Sequence, residues 1–474
     1  MTTMRWVWPL LLGVVACSSG GAGDDEPSGT GGLATIQPTS EPGATSSESA
    51  ASSSTATGDS SSSLGSSTDG GSSTTGSDPH VWSIDAARIT DQNRHYVEMH
   101  GGWGPHLRGI MRDSGDGLWF VHDAGEDVIH NRSVHYVRHQ GDAWEPAGMQ
   151  PLTSGVQQNA ASLLHEDVIH TWAVDVVEHR LVHCSFDTAT AVAGGCAAVE
   201  IGGPYLTPDA SNYVGAALSP DPAHLVWFTV VGNAGGAGSF VYTYDYGGGY
   251  NGPVVTPLPG YNDLAYVFAA FTGPSAAMLV GQAYAGVYPN GTYGALTIEF
   301  AFGQPATFTA LFIDGAPVRS AADVWIDPTS GTAHVLAETD DNRLAYYAKP
   351  SDEAWSAHAE PTFVFTDSFR GRFVAPSSGE LAVVRGSASD GGIEILIATP
   401  PADGLPAAID WAAAERVVVG RKLGARLGVG FEQPSALYVE GSSYQDQPVG
   451  ALQFAACGRY QVQDGEIWQL VLSR

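Results

Sequence analysis

A weak pattern that recurs seven times between residues 80 and 474 limits the folds open to this chain. In each copy a polar residue is followed by small residues and then by aliphatic ones. The polar residues stand 51, 53, 50, 57, 53 and 54 residues apart, at Arg108, Asn159, Asn212, Asn262, Arg319, Arg372 and Arg426. A repeat of about this length indicates an array of similar units, because one such unit is too small to bury its own apolar face.

Each copy continues with two further strand-like runs and a less regular fourth run. These runs are rich in β-branched and aromatic residues and are bounded by Gly, Pro, Asp or Asn. The 59 glycines and the 10% of aromatic residues favour short strands and tight turns over helices. Four antiparallel strands in each repeat are what a β-propeller blade requires. The sequence therefore predicts an all-β chain with a seven-bladed β-propeller over residues 79–474.

The prediction includes a way to close the ring. Residues 466–471 are expected to form the outer strand of the seventh blade, and either 81–84 or 96–97 would complete that blade from the N-terminal side. Such closure removes exposed strand edges. A ring of six or eight blades and a pair of β-sandwiches are the alternatives. In a propeller, the first strand of each blade lines a narrow channel, and the small residues of the pattern fit the close approach there.

The first seventeen residues carry a short apolar segment that ends in a cysteine. Residues 6–16 are too few to span a membrane and suit a signal-peptide core. The ending Val14-Val15-Ala16-Cys17 resembles the lipobox of bacterial lipoproteins. The resemblance implies that Cys17 is diacylated, and its two or three acyl chains would anchor the protein in a membrane. A chance cysteine after an ordinary secretory signal is the alternative.

Ser18, the residue after Cys17, implies by similarity to Gram-negative lipoproteins an outer-membrane location, facing the periplasm or the cell surface. Residues 18–78 are mainly Ser, Thr, Gly, Pro and Ala and are predicted to form a disordered linker. A flexible linker of this length spans about 40 Å. It is interpreted as a spacer, with O-glycosylation as the alternative. The predicted organisation is a signal peptide over 1–17, a linker over 18–78 and a propeller over 79–474.

The charge of the chain excludes one class of partner. It contains 20 Lys and Arg against 50 Asp and Glu, so the formal net charge is −30. A chain this acidic repels a phosphate backbone, and nucleic acid is therefore excluded as a partner of the molecule as a whole. The expected partners are a membrane, through the lipid anchor, and a glycan or protein ligand.

One run comes near a known propeller motif. Residues 114–119 (SGDGLW) approximate the Asp-box Ser-x-Asp-x-Gly-x-x-Trp, with the glycine one place early and the tryptophan two places early. On architecture alone, residues 80–474 resemble the sialidase-like bacterial propellers, and the resemblance implies a fold without a specific activity. The overlapping acidic turn 113–117 could hold Ca²⁺, although it lacks the EF-hand spacing. No other metal or cofactor is predicted.

Propellers usually bind ligands at the mouth of the channel where the innermost strands begin. Four arginines are predicted at this rim, with Arg370 nearby, which is unexpected in a domain with net negative charge. A guanidinium binds a carboxylate through two parallel hydrogen bonds, so the rim suits an acidic ligand such as a uronate or sialate in a glycan. The alternative is that these groups hydrogen-bond to neighbouring blades. The candidate ligand-binding residues are Arg108, Asn159, Asn212, Asp263, Arg319, Arg370, Arg372 and Arg426.

A catalytic role is the second hypothesis. A lyase acting on uronates needs a base for the sugar C5 proton and an acid for the leaving oxygen, and His and Tyr commonly serve. The weak candidates are His100, His106, Tyr213 and Tyr261. The alternative is that these are ordinary surface and strand residues. The predicted function is ligand binding at the channel mouth, with a polysaccharide lyase or glycoside hydrolase acting on acidic glycans as the alternative.

The cysteines give one further expectation. Cys184 and Cys196 are twelve residues apart, across a predicted hairpin of the third and fourth strands of the second blade. In an exported protein this pair is expected to form a disulfide. Cys457 is predicted to be buried and free.

Overall fold

The computed structural model describes residues 83–90, 98–99, 110–124, 133–151, 161–175, 180–199, 213–218, 225–231, 238–245, 250–285, 292–339, 341–375, 380–387, 393–398, 408–419, 437–439, 451–460 and 464–473. In several strands only the backbone is described. The chain divides into two units, and all described residues belong to the one that contains residues 64–474. The predicted signal peptide and linker, 1–78, lie outside the described residues. So do Cys17, Arg108, Asn159, Asn212, Arg426, His100 and His106.

The described residues form strands almost throughout. In the first half of the chain they are β1 (Ser83–Thr90), β2 (Glu98–Met99), β3 (Ile110–Arg112), β4 (Leu118–Ala124), β5 (Ser133–Gln140), β6 (Ala143–Pro151), β7 (Ala161–His165), β8 (Val168–Asp175), β9 (Arg180–Asp187), β10 (Val192–Val199), β11 (Tyr213–Leu218), β12 (Leu225–Val231), β13 (Ser239–Asp245) and β14 (Tyr250–Pro257).

The second half contains seventeen strands and a single described 3-10 helix, Trp355–Ala357. The strands are β15 (Asp263–Gly273), β16 (Ala276–Ala285), β17 (Thr292–Ala301), β18 (Thr307–Ala310), β19 (Phe312–Ile313), β20 (Ala316–Pro317), β21 (Ser320–Ile326), β22 (Ala333–Glu338), β23 (Leu344–Lys349), β24 (Phe363–Phe365), β25 (Ser368–Val374), β26 (Leu381–Ser387), β27 (Ile393–Ala398), β28 (Glu415–Val419), β29 (Leu437–Val439), β30 (Ala451–Tyr460) and β31 (Asp464–Ser473).

These strands pair antiparallel, mostly with their neighbours in the chain. We number the sheets by their order in the chain: sheet 1 is β2–β6, sheet 2 is β7–β10, sheet 3 is β11–β14, sheet 4 is β15–β18, sheet 5 is β21–β24, sheet 6 is β25–β28, and sheet 7 is β29–β31 with β1. A small hairpin, β19–β20, lies in the chain between sheets 4 and 5. In sheet 1, β2 and β3 both pair with β4.

The sheets follow one another through their first strands. Contacts run in order through β3 of sheet 1 and then the first strands of sheets 2 to 7, which are β7, β11, β15, β21, β25 and β29; the outer strand β6 of sheet 1 contacts β1 of sheet 7. A succession of four-stranded antiparallel meanders that contact through their first strands is the architecture of a β-propeller. The predictions of an all-β chain and of a propeller fold are therefore confirmed.

An N-terminal strand completes the last sheet, as predicted. β1 pairs with β31 from Ser83 opposite Ser473 to Thr90 opposite Ile467. β1 overlaps the first segment proposed for this role, whereas β2, which follows the second segment, pairs with β4 in sheet 1. The outermost position in sheet 7 belongs to β1, because β31 lies between β30 and β1. The prediction that 466–471 is the outer strand is therefore wrong.

The core consists of apolar layers between neighbouring sheets. Successive residues of a strand point to opposite faces, so one strand serves two layers. On β16, Leu279 packs in the layer shared by sheets 3 and 4, and Val280 packs in the layer shared by sheets 4 and 5. A similar layer joins sheets 5 and 6, and another joins sheets 1 and 2. Burying one such side chain contributes about 1.5–3 kcal/mol, so these layers hold adjacent sheets together.

The first strands of sheets 4, 5 and 6 share an irregularity. The pairing register shifts between Ala265 and Phe268 in β15, between residues 321 and 323 in β21, and between residues 369 and 371 in β25. Such bulges bend a strand and redirect the following side chains. Gly371 lies at the bulge of β25, where a Cβ atom would come within 2.3 Å of Leu344 Cδ2.

Candidate ligand-binding site at one end of the sheets

The candidate site lies at the end of the sheets where the first strands begin, which we call the mouth end. In sheet 4 this end holds the start of β15, the end of β16 and the start of β17. Asp263 is paired with Tyr284, and Tyr284 is paired with Tyr293. Because antiparallel pairing brings these positions together, residues far apart in sequence meet at one edge of the sheet.

Neighbouring sheets are joined to sheet 4 at the same end. The Gly238 amide, just before β13 of sheet 3, donates to the Tyr261 carbonyl at 3.2 Å. On the other side, the Ala295 amide of β17 donates to the carbonyl of Val318, just before β21 of sheet 5, at 2.7 Å. These backbone bonds hold the segments that enter sheets 4 and 5 against the adjacent sheets.

Two tyrosines, a glutamine and an arginine gather at the mouth end on the face of sheet 4 that packs against sheet 5. The rings of Tyr284 and Tyr293 meet edge to face, with centroids 4.9 Å apart. The Tyr284 hydroxyl donates to Oε1 of the buried Gln282 at 3.2 Å. The guanidinium carbon of Arg319 lies 5.4 Å from the centroid of the Tyr293 ring. We call these four residues the mouth cluster.

The mouth cluster combines an exposed cation with partly exposed aromatic rings. Arg319 is exposed, and both tyrosines are half-buried. A guanidinium over an aromatic face is attracted by the ring quadrupole and loses part of its rotamer freedom before any ligand arrives. The arrangement can present a planar cation and the edge of an aromatic surface to the same ligand. Of the predicted rim residues with described side chains, Arg319 alone lies exposed at the mouth end.

Tyr261, a predicted catalytic candidate, lies on the opposite face of sheet 4. Its ring packs against the layer between sheets 3 and 4, and a Cβ atom on Gly294 would come within 2.7 Å of its hydroxyl oxygen. Burial raises the pKa of Tyr261, so the phenol keeps its proton at neutral pH. The sheet separates Tyr261 from the mouth cluster, and the two do not form one catalytic group.

Arg372 occupies a different place from the one predicted. Strand β25 begins at Ser368, so Arg372 is the fifth residue of the strand, and the prediction that it begins an innermost strand is wrong. The residue is buried, and its guanidinium donates to the carbonyl oxygens of Ala322 and Gly371. The guanidinium carbon of Arg372 also lies 4.8 Å from the centroid of the Phe268 ring on β15. Arg372 thus joins sheets 4, 5 and 6, as the alternative interpretation of the rim arginines expects.

The neighbouring carboxylate of Asp323 supports the same junction. Asp323 follows the bulge of β21 and is buried, and its Oδ2 accepts the Phe373 amide of β25 at 2.8 Å. Because a buried carboxylate requires such donors, sheets 5 and 6 are joined here by polar as well as apolar contacts.

The other predicted site residues are placed only in part. Asp263, Arg370 and Tyr213 lie in β15, β25 and β11, but their side chains are outside the described residues. Arg108, Asn159, Asn212, Arg426, His100 and His106 are outside them altogether. Of the predicted rim residues with described side chains, only Arg319 lies at the mouth end. It lies there with Tyr284 and Tyr293, which the prediction did not include.

The sequence contains an indication that Tyr284 and Tyr293 lie at the mouth end. Tyr284 and Tyr293 flank a turn segment that contains Gly, Pro and Asn, between two strand-like runs. Residues on either side of a hairpin connection lie at the same end of a sheet. Reading the hairpin ends as well as the starts of the first strands would have found both tyrosines.

The carboxylate of Asp113 accepts hydrogen bonds across the acidic turn between β3 and β4. Asp113 Oδ1 accepts the amides of Gly115 at 3.0 Å and Gly117 at 2.6 Å, and Oδ2 accepts Trp119 Nε1 at 2.8 Å. Among the described residues there is no group of three His, Cys, Asp or Glu placed to hold a metal, and calcium binding at this turn stays a prediction.

The predicted disulfide between Cys184 and Cys196 is confirmed. The two residues stand directly opposite each other on β9 and β10, the third and fourth strands of sheet 2, with Cα atoms 4.1 Å apart. Cys184 is buried and Cys196 is exposed at the outer strand. Cys457 lies in β30, and its side chain is outside the described residues.

Among the described residues, no helix has the length and apolar character needed to cross a membrane. No protein-family model matches the chain. No curated protein sequence matches it significantly either.

Solved structures of similar fold were found. An uncharacterised protein from Dyadobacter fermentans is 11% identical, covering 82% of this chain and 99% of its own, with a TM-score of 0.44. An alpha-L-arabinanase from Penicillium chrysogenum in complex with arabinobiose is 9% identical, covering 64% and 93%, with a TM-score of 0.41. A periplasmic gluconolactonase from Pseudomonas aeruginosa is 12% identical, covering 72% and 97%, with a TM-score of 0.42. At these values, we draw no functional conclusion from the likeness.

Proposed function

We propose that this chain is a lipoprotein of the outer membrane, anchored through Cys17, whose β-propeller binds a ligand at the mouth of its central channel. The lipobox-like ending at Cys17 and the linker composition of 18–78 support the anchor and a spacer. We further propose a ring of seven blades, formed by sheets 1–7. The order of the contacts between their first strands and the pairing of β1 with β31 support this number.

The observation that carries the binding proposal is the mouth cluster. An aromatic ring supplies an apolar surface against which the C–H groups of a sugar can pack. A guanidinium supplies paired donors to a carboxylate. The guanidinium carbon of Arg319 lies 5.4 Å from the centroid of the Tyr293 ring, so one sugar residue bearing a carboxylate can engage both side chains. The ligand we propose is therefore a glycan that contains a uronate or a sialate.

Binding is proposed ahead of catalysis because of the side chains at the mouth cluster. A lyase or hydrolase acting on acidic glycans needs a base and an acid within reach of the scissile bond. The mouth cluster contains two phenols but no histidine or carboxylate to complete an acid–base pair with them, and Tyr261 lies across the sheet from it. The enzyme hypothesis would require further groups outside the described residues.

A glycan array tests the proposal with the full chain solubilised in detergent. We expect retention on uronate- or sialate-containing glycans and little on neutral ones. Arg319→Ala removes a charge-assisted contact worth about 1.5–3 kcal/mol, so affinity should fall about 10- to 100-fold. Tyr293→Ala should weaken binding about 10-fold through the lost packing surface.

Arg112→Ala is the matched control for these variants. It removes an arginine at the opposite end of its sheet, where the guanidinium lies 3.9 Å from Asp116 at the protein surface. Binding that is unaffected by Arg319→Ala and Tyr293→Ala would reject the site. The absence of acidic-glycan binding by the unaltered chain would reject the ligand class. Release of unsaturated uronates or new reducing ends during incubation would favour the enzyme hypothesis.

A further inference from the structure

Two histidines on neighbouring strands of sheet 2 are joined ring to ring. His170 Nδ1 on β8 and His183 Nε2 on β9 are 2.9 Å apart. The ring planes differ by 9°, and the ring centroids are 5.1 Å apart. The distance between the two ring centroids exceeds the distance between the two nitrogens by about twice the distance from a ring centroid to its own nitrogen. The two nitrogens therefore point at each other along the line between the rings, which is the geometry of a straight N–H···N hydrogen bond.

This geometry favours a proton over a metal ion. A zinc ion between two facing nitrogens would lie about 2.0–2.1 Å from each, which requires a separation of about 4 Å. At 2.9 Å there is room only for a hydrogen atom. A bound proton is therefore the ligand to which this pair is complementary.

The pair lies in the seam between sheets 2 and 3. Ile169, the residue before His170, packs in the layer toward sheet 1, so His170 faces the opposite way, toward sheet 3. Trp172 stands opposite His183, with near-parallel rings whose centroids are 5.0 Å apart. The Trp172 indole N–H donates to the hydroxyl oxygen of Tyr250 on β14 of sheet 3, at 3.2 Å. The pair is thus connected to the next sheet through Trp172 and through the Tyr250 ring beside His183.

The surroundings of the pair determine which charges can influence it. His165 on β7 lies with its ring centroid 6.4 Å from that of His170, and Tyr250 on β14 lies 6.3 Å from His183. The first two strands of sheet 3, β11 and β12, contain no Asp, Glu, Lys, Arg or His, and neither does β10 of sheet 2. β13 carries Asp245 at its last position. Both histidines are half-exposed, so protons from solvent reach them.

The number of protons on the pair determines whether it holds together. In the neutral pair, one ring donates its N–H and the other accepts. A first added proton settles on the outer nitrogen of the donor ring, and the shared bond becomes charge-assisted and stronger. The near-parallel face of Trp172 also favours a single cation. A second added proton would place N–H groups on both facing nitrogens and two positive charges side by side, so the rings must separate.

We propose that His170 and His183 form a proton-sharing pair that accepts one proton and separates on uptake of a second, which loosens the seam between sheets 2 and 3. The separation displaces His183 against Trp172 and weakens the bond from Trp172 to Tyr250. The pair makes this seam sensitive to acid, and the effect does not depend on the proposed function at the mouth end.

A titration of the imidazole nitrogens by NMR tests the pair directly in the full-length chain, from about pH 8 to about pH 4, around the ordinary range of histidine titration. In the unaltered chain we expect the two histidines to take up protons in two steps separated by more than about one pH unit, as coupled groups do. In His170→Gln or His183→Gln, the remaining histidine should titrate in a single step, because its coupled partner is gone. His165→Gln, beside the pair but outside its hydrogen bond, should leave both steps in place.

Two outcomes would overturn the proposal. One is a single common midpoint for His170 and His183 in the unaltered chain, and this test needs no variant to fold. The other concerns the seam and is measured by hydrogen exchange, corrected for the intrinsic effect of pH. β8, β9 and β14 should lose protection at acid pH relative to β16 and β17 in the unaltered chain, and not in His183→Gln. An equal change in both proteins would show that the pair does not control the seam.

Discussion

The seam between sheets 5 and 6 and the seam between sheets 2 and 3 each contain a histidine that is hydrogen-bonded to a second ring, but the two differ in access to water. In the first seam, Nδ1 of His334 lies 2.7 Å from the hydroxyl oxygen of Tyr346, and both residues are fully buried. In the second, His170 meets His183, and both are half-exposed.

Burial fixes the protons in the first seam. Desolvation lowers the pKa of His334 to about 4, against a smaller opposing influence from Asp327, and desolvation also raises the pKa of Tyr346. The tyrosine hydroxyl accepts the Ile409 amide at 3.3 Å and therefore donates its own proton to His334. Between His170 and His183, either ring can donate. Access to water therefore decides whether a histidine is a fixed acceptor or a proton-exchange site.

The largest expected effect is acid destabilisation by His334. Its pKa is about 4 in the folded chain and about 6.5 when unfolded, so between these values the unfolded state binds more protons. Stability therefore falls as pH decreases from about 6.5 to about 4, by about 3 kcal/mol in all. His334→Asn retains an acceptor near Nδ1 and does not titrate, so urea unfolding at several pH values should show a flatter dependence. An equal dependence of the free energy of unfolding on pH in the unaltered chain and in His334→Asn would show that His334 is not the source of the acid sensitivity.

A pair of tyrosine variants gives the next largest difference. Tyr346→Phe leaves the Ile409 amide and His334 Nδ1 without their buried partner and should lower the free energy of unfolding by about 2 kcal/mol. Tyr250→Phe removes the acceptor of Trp172 in the other seam, but Tyr250 is 37% exposed and water can replace it. Its expected effect is below about 1 kcal/mol. Urea unfolding at neutral pH measures both, and equal losses would mean that exposure does not separate the seams.

The smallest effect is expected at the junction of sheets 1 and 2. Asp167 accepts the Ser114 amide at 2.7 Å and the Ser114 hydroxyl at 2.6 Å, and these bonds lower the pKa of Asp167. Its contribution is present above the ordinary carboxyl pKa and disappears as pH falls through the lowered value. Because the site is open to solvent, Asp167→Asn should reduce stability at neutral pH by less than about 1 kcal/mol.

A double-mutant cycle with Ser114→Ala isolates this contact. Ser114→Ala removes the hydroxyl bond and leaves the Ser114 amide in place, whereas Asp167→Asn weakens both bonds, so the two substitutions together should cost less than the sum of the single losses. Additive losses would show that Asp167 and Ser114 act independently, and the junction of sheets 1 and 2 would then depend on its apolar layer.

The repeating pattern was enough to predict the sheets and part of their closure. The runs that the sequence marks as strands become β3–β5, β7–β9 and their later equivalents, and β1 joins the last sheet. The Cys184–Cys196 bridge was predictable for the same reason, since a hairpin places its two strands opposite each other. Alternation and turn residues act over a few positions, and a sequence displays them directly.

The exposure of one rim arginine and the burial of another were not predictable from the same pattern. Arg319 and Arg372 hold equivalent places in the repeating pattern, yet one is exposed beside Tyr293 and the other is buried over Phe268. The start of β25 four residues before Arg372, and the bulge at Gly371, produce this difference. Bulges and strand starts depend on packing against the neighbouring sheet, which no local pattern contains.

Strand formation, the hairpin order and the disulfide were determined by the sequence itself, because they depend on contacts between residues close in the chain. The meeting of Tyr284, Tyr293 and Arg319 at one end of sheet 4 became visible only in the folded chain. The same holds for the complete burial of His334 and the partial exposure of His170 and His183. The physical reason is that these properties depend on which faces of separate sheets pack together and how much water that packing excludes.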